Sequence, residues 1–137
     1  MGVAGVTSFL LDTNALLWLV TDSDRMSDDV RNTLADQGNE LTVSAASAWE
    51  IAIKTRIGRL DGGPLLSTWA ETLSAMNATD LAIDSADASA AGRLDWHHND
   101  PFDRMVVAQA LRRHLTIVTS DRIVLDGALT PTLDTCA

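Results

Sequence analysis

The chain has 137 residues, 46% of them hydrophobic, with 19 acidic against 10 basic side chains and a formal net charge of −9. The length fits one ordinary domain, residues 1–137, with a core of its own, and the composition excludes a disordered chain. No apolar run reaches the roughly 18–20 residues of a membrane span, and the acidic balance excludes a broad basic surface as the means of holding nucleic acid. The lone cysteine, Cys136, excludes a disulfide framework and a cysteine-built metal site. A reducing, cytoplasmic setting is therefore expected. The N-terminus lacks the pattern of a signal peptide. Met1-Gly2 opens like a myristoylation signal, but Val6 stands where Ser or Thr is needed.

Short β-type runs alternate with helical ones. Phe9-Leu10-Leu11 reads as a strand, closed by Asp12-Thr13-Asn14 and followed by a helix over residues 15–20. Ser27 suits the cap of a second helix that stops near Gly38. Leu41-Thr42-Val43 is a second strand, and Ser44 or Ser47 can cap a helix running to Ile57 and Gly58. Asp61-Gly62-Gly63-Pro64 is a loop. A helix over 65–76, a strand over 81–83 and an alanine-rich helix capped by Ser85 come next. Asp100 then suits an N-cap and Pro101 a first helical position, for a helix ending near Arg113. Leu115 to Thr119 is a strong fourth strand, and the tail from Ala128 offers a weak edge strand interrupted by Pro131. Strands alternating with helices imply a three-layer α/β/α sandwich around a central parallel sheet.

Open parallel sheets place their sites beyond the carboxyl ends of the strands. Asp12 and Asp121 lie there. Asp103 and Glu50 sit on helices among apolar neighbours: Asp103 heads the stripe of Val107 and Ala110, and Glu50 shares one with Ala46, Ile53 and Ile57. Singly, each acid has a plain structural use. Asp12 and Asp121 can cap helices, Glu50 can pair with Lys54 at i,i+4, and Asp103 can serve the helix dipole. Together, two carboxylates about 4 Å apart repel by about 4 kcal/mol at an effective dielectric of 20. Convergence of four demands protons or cations. Hard oxygen donors without His or Cys favour Mg²⁺ or Mn²⁺. Such a site suits water activation and neutralisation of a phosphodiester.

The segments Leu10 to Trp18, Ala48 to Lys54, Asp100-Pro101-Phe102-Asp103-Arg104 and Ile117 to Asp121, in this order and spacing, resemble those of PIN-domain ribonucleases, and most of all VapC toxins of bacterial toxin–antitoxin modules. The resemblance implies that Asp12, Glu50, Asp103 and Asp121 are the catalytic and metal-binding acids. It also implies Mg²⁺- or Mn²⁺-dependent cleavage of RNA (tRNA or rRNA among the targets), a homodimer, and inhibition by a VapB-type antitoxin. The expected products carry 5′-phosphate and 3′-hydroxyl ends. Asp126 is the alternative fourth acid and Asp100 a further neighbour of the site. Thr119 and Ser120 are placed to orient Asp121, Asn14 to bond an acid, and Arg104 to reach phosphate. Arg112 and Arg113 read as solvated or dipole-stabilising. Trp18, Trp49 and Trp69 read as core or dimer packing, and Trp96, His97 and His98 as a loop over the sheet edge. The rival classes are a non-catalytic PIN-like or receiver-like binding module and a phosphotransferase of haloacid-dehalogenase type.

Overall fold

Five parallel strands, β1 (Ser8–Leu11), β2 (Glu40–Ser44), β3 (Ala78–Leu81), β4 (Thr116–Thr119) and β5 (Thr132–Asp134), form one sheet in the order β3-β2-β1-β4-β5. The computed structural model describes residues 6–127 and 129–137. Met1-Gly2, and Ala128 at the head of the expected edge strand, lie outside the described residues. The helices are α1 (Thr13–Thr21), α2 (Asp28–Ala35), α3 (Ala45–Arg56), α4 (Gly63–Ser67), α5 (Trp69–Ala75), α6 (Ser85–Arg93), α7 (Pro101–Arg113) and α8 (Arg122–Gly127).

Side-chain alternation along the strands supplies two cores, one on each face. Phe9, Leu11, Val43 and Val118 pack under Leu16, Val30, Leu34, Ile51 and Leu73, contributed by α1, α2, α3 and α5. Leu10 and Ile117 point the other way, against Val106, Val107 and Ala110 of α7 and Val124 of α8. The sheet is thus covered on both sides, as the alternating pattern implies. The chain leaves β1 toward β2 and β3, then crosses to β4 and β5 on the opposite side, so the carboxyl ends of β1 and β4 flank the topological switch point.

Several elements differ from the sequence expectation. The helix expected over 65–76 is two short ones. Thr68 leaves helical geometry at φ −115°, ψ 24°, and its hydroxyl bonds the Pro64 carbonyl at 2.9 Å, a local bond that competes with the helix ladder. The third strand starts at Ala78, three residues before the apolar run. Asn77, in left-handed conformation at φ 55°, ends the preceding helical turn and delivers the chain straight into β3. As an edge strand paired only with β2, β3 is half-exposed, and its hydropathy does not mark it. Asp84, not Ser85, caps α6: its Oδ1 accepts from Asp87 N at 2.7 Å and the Asp87 side chain accepts from Asp84 N, a reciprocal capping box. Helix α2 stops at Ala35, short of Gly38. The tail holds a helix, α8, that the sequence did not announce, before β5 forms beyond Pro131. Of the two serines offered as the α3 cap, Ser44 bonds Ala46 N at 3.0 Å, while Ser47 is buried against the Thr13 hydroxyl.

Candidate active site

Asp12 is delivered to the switch point by β1. Its amide continues the strand ladder by donating to the Val118 carbonyl at 3.1 Å. Its side chain caps α1 through Ala15 N at 2.8 Å. The residue is only 8% exposed. Asp121 follows β4. Its amide donates to the Thr119 hydroxyl at 3.0 Å, and its Oδ1 accepts from Ile123 N at 2.8 Å, capping α8. Asp100 caps α7, one oxygen accepting from both Phe102 N and Asp103 N at 2.9 and 3.1 Å. Asp103 follows on the first turn, where the partial positive charge of the helix end favours an anion. Glu50 reaches in from α3 with Lys54, whose Nζ donates to it at 2.7 Å.

These acids line one cavity of about 150 Å³, bounded by Asp12, Thr13, Asn14, Glu50, Lys54, Asp100, Asp103 and Asp121. All four acids singled out in the sequence meet there, with Asp100 as a fifth. The Glu50–Lys54 pair expected of a plain surface helix is formed, yet the Glu50 side chain is 14% exposed and turned to the cavity, so the two readings of Glu50 hold together. The inward face of α3 is set by Ala46, Ser47 and Ile51; Ile57 is half exposed, off the stripe expected for it. Asp126 pairs with Arg122 on the surface, outside the cavity. Asn14 lines the cavity but bonds no acid among the described residues, and Ser120 likewise makes no such bond.

Electrostatics mark the cluster as short of positive charge. Burial pushes the Asp12 carboxyl up to about 6, with the charges of Asp103 and Asp121 adding to it and the Thr119 hydroxyl and Ala15 amide opposing it. Asp103 is also raised, first by burial, then by Asp100 and Asp121, against a hydrogen bond from His98. The cavity lining offers carboxylate oxygens, two of the carboxyls raised first by burial, and beside it His98, Asp100 and Asp103 each bring one possible ligand atom within 4.8 Å of the others. Those are the properties of a seat for a hard divalent cation.

Other side chains depart from expectation. Arg104 does not point to the cavity as a phosphate ligand. Its five N–H donors are taken by the carbonyls of Ala91, Gly92, Leu94, Trp96 and His98 at 2.8–3.4 Å. Arg112 and Arg113 are not free solvated cations either. Both clamp the fully buried Asp87, Arg113 through two bonds of 2.8 and 3.1 Å. Burial pushes the Asp87 carboxyl up, but the bonds from Arg113, Gln109, the Asp84 amide and Arg112 outweigh it and hold it far below the usual range. Trp18 and Trp69 pack on the core as expected; Trp49 is 57% exposed, which excludes only the core half of its expected use, and it meets Phe102 edge to face at 5.0 Å. His98, read from the sequence as part of a loop over the sheet edge, places Nε2 2.6 Å from Asp103 Oδ2. The signal for it was its position two residues before the N-cap, which brings it over the first turn.

The PIN domain family model matches residues 9–127. The chain belongs to the PIN domain family. That membership sets aside the receiver-like and dehalogenase-type alternatives. The chain is 26% identical over 117 residues to Ribonuclease VapC22 of Mycobacterium tuberculosis, covering 85% of this chain and 89% of that protein. Its fold is similar to a chain of the VapBC2 complex of Rickettsia felis, solved bound to a promoter DNA fragment, with a TM-score of 0.69, 13% identity and coverage of 93% of this chain and 98% of that one. It is also similar to a chain of the DNA-bound VapBC complex of Salmonella typhimurium, with a TM-score of 0.68, 19% identity and coverage of 95% and 99%.

Proposed function

We propose that this chain is a metal-dependent endoribonuclease, the toxin of a VapBC-type pair. The observation that carries the reading is the meeting of five carboxylates in one small cavity at the switch point of a PIN fold, two of them, Asp12 and Asp103, driven toward protonation by burial and by neighbouring carboxylates. Asp12 and Asp103 would be the chief holders of a divalent cation, Mg²⁺ or Mn²⁺, with Glu50 and Asp121 completing the charge cage. When bound, such a cation supplies neutralisation of the phosphodiester and easier ionisation of water near neutral pH. The protein's own groups do the rest. The helix caps made by Asp12, Asp100 and Asp121 fix three of the acids to rigid backbone, so little reorganisation accompanies binding. The excess of carboxylate keeps a polyanion out until cations enter, which reconciles an acidic chain with an RNA substrate.

The similarity to VapC22 and to chains of VapBC complexes supports RNA as the substrate and a VapB-type antitoxin as the partner. A homodimer belongs to the same reading. Among the described residues no helix is long and apolar enough to cross a membrane. The test is cleavage of RNA with Mg²⁺ or Mn²⁺ by the wild-type protein and by Asp103→Asn. The expected result is cleavage by the first and loss of at least 100-fold in the second, on the order of one removed charge-stabilising group. Equal activity in both, or none in the wild type with either ion, overturns the reading.

A further inference from the structure

We infer that His98 is a positioning residue for Asp103, and that Arg104 holds it in place by anchoring the loop that carries it. The inference rests on the proposed role of Asp103 as a metal-binding acid.

Three observations on neighbouring residues close into a ring. Asp103 and Arg104 are consecutive on α7 and leave the helix on different sides. Asp103 lines the acidic cavity. The Arg104 Nε donates to Ala91 O at 2.9 Å and one terminal nitrogen to Gly92 O at 3.4 Å, satisfying carbonyls at the C-terminal end of α6 that have no further helix to bond. The remaining donors follow the chain onward to Leu94 O at 2.8 Å, Trp96 O at 2.9 Å and His98 O at 3.0 Å. A guanidinium has five N–H donors, and all five are spent on this one stretch of backbone. The last carbonyl held is that of His98, whose side chain then returns to Asp103.

At that return, His98 Nε2 lies 2.6 Å from Asp103 Oδ2, where an ionised carboxylate accepts from the Nε2–H tautomer, and the imidazole is supported edge to face by Trp96 at 5.0 Å between ring centres. The His98 and Asp103 side chains are 19% and 23% exposed, so the bond is shielded from solvent. Oδ1 of Asp103 takes no protein donor among the described residues. The imidazole therefore fixes which carboxylate oxygen is engaged by protein and which is free for a ligand, and it stops rotation of a side chain that Asp100 and Asp121 repel. A hydrogen bond from behind a ligating carboxylate orients it, and loss of such a partner typically weakens metal binding 10–100-fold. A lysine cannot replace Arg104, because three donors on a flexible stem cannot span carbonyls from Ala91 to His98.

The experiment is titration of the metal-stripped full-length protein with Mn²⁺, followed by calorimetry, with the thermal midpoint of each metal-free variant measured alongside. His98→Ala is expected to weaken Mn²⁺ binding by about 10-fold or more without a matching change in the metal-free midpoint. His98→Gln is expected to keep affinity within about threefold of wild type, because its amide nitrogen reaches the place of Nε2 and donates the same bond. Arg104→Lys is expected to weaken binding like His98→Ala, and the double variant to weaken it no further, since both break one chain of contacts. Wild-type affinity in His98→Ala overturns the inference, provided Asp103→Asn abolishes binding. If His98→Gln binds as poorly as His98→Ala, His98 is itself a ligand and the positioning role is wrong. If Asp103→Asn binds as wild type, the metal-binding reading of the cavity fails and takes this inference with it. Should Arg104→Lys not fold, the two His98 variants decide the matter alone.

Discussion

Replacing Asp12 by asparagine should make the metal-free protein more stable at pH 7.5. Asparagine caps a helix as well as aspartate does, so the bond from Ala15 N survives. What changes is the charge. The folded-state pKa of Asp12 is about 6, above the value near 3.9 of an unfolded chain. Well below pH 4 the side chain is protonated in both states and the shift has no effect, and at pH 4 only a small part of it remains. As the pH rises through 4 to 6 the unfolded chain releases its proton first, so folding stability falls, and above pH 6 the full penalty is present. A shift of about two units at about 1.4 kcal/mol each is about 3 kcal/mol. At roughly 3 °C per kcal/mol for a chain of this size, that is a gain of about 9 °C. Differential scanning calorimetry in EDTA at pH 7.5 and pH 4 measures it. A lower midpoint for Asp12→Asn at pH 7.5, or an equal difference at both pH values, would refute the reasoning.

Mn²⁺ should raise the melting temperature of the wild type more at pH 7.5 than at pH 5.5, because protons on Asp12 and Asp103 compete with it; at 100 times the dissociation constant the stabilisation is about 2.7 kcal/mol, and a pH-independent shift in a melting assay would count against the acids as ligands. Asp87→Ala leaves Arg112 and Arg113 without their buried partner and should cost about 3–5 kcal/mol in denaturant unfolding. Because the Asp87 pKa is lowered on folding, its contribution is present above the unfolded value near 3.9 and fades only as the pH falls toward the depressed folded value, so acid unfolding of wild type and Asp87→Ala should converge at low pH. Gly127→Ala puts a Cβ 2.9 Å from the Trp96 indole nitrogen and should cost about 1–3 kcal/mol, read as a lower denaturation midpoint.

The parts of the fold legible in the sequence are those where one physical cause dominates. Phe9 to Leu11 and Leu115 to Val118 are central or near-central strands buried on both faces, so hydropathy alone marks them. Asp100-Pro101 marks a helix start because cap and proline act locally. The misplaced elements are those decided by competition. At Thr68 a side-chain bond competes with the helix ladder, at Asn77 a left-handed residue sets the strand start, and at Asp84 a reciprocal pair with Asp87 outranks the adjacent serine. The convergence of Asp12, Glu50, Asp103 and Asp121 on one cavity was legible because carboxylates among apolar neighbours are expensive unless compensated. The His98–Asp103 contact and the carbonyl bonds of Arg104 were not, since both depend on the path of the loop between α6 and α7, which local pattern does not encode.

The central claim is that the carboxylate cavity cleaves RNA with a divalent cation rather than through the ribose hydroxyl. Analysis of the RNA ends made by EDTA-stripped protein, before and after Mn²⁺ is restored, tests it most directly. No cleavage is expected in EDTA, and 5′-phosphate with 3′-hydroxyl ends are expected once Mn²⁺ is present. Cleavage that persists in EDTA and leaves 2′,3′-cyclic phosphates would contradict it.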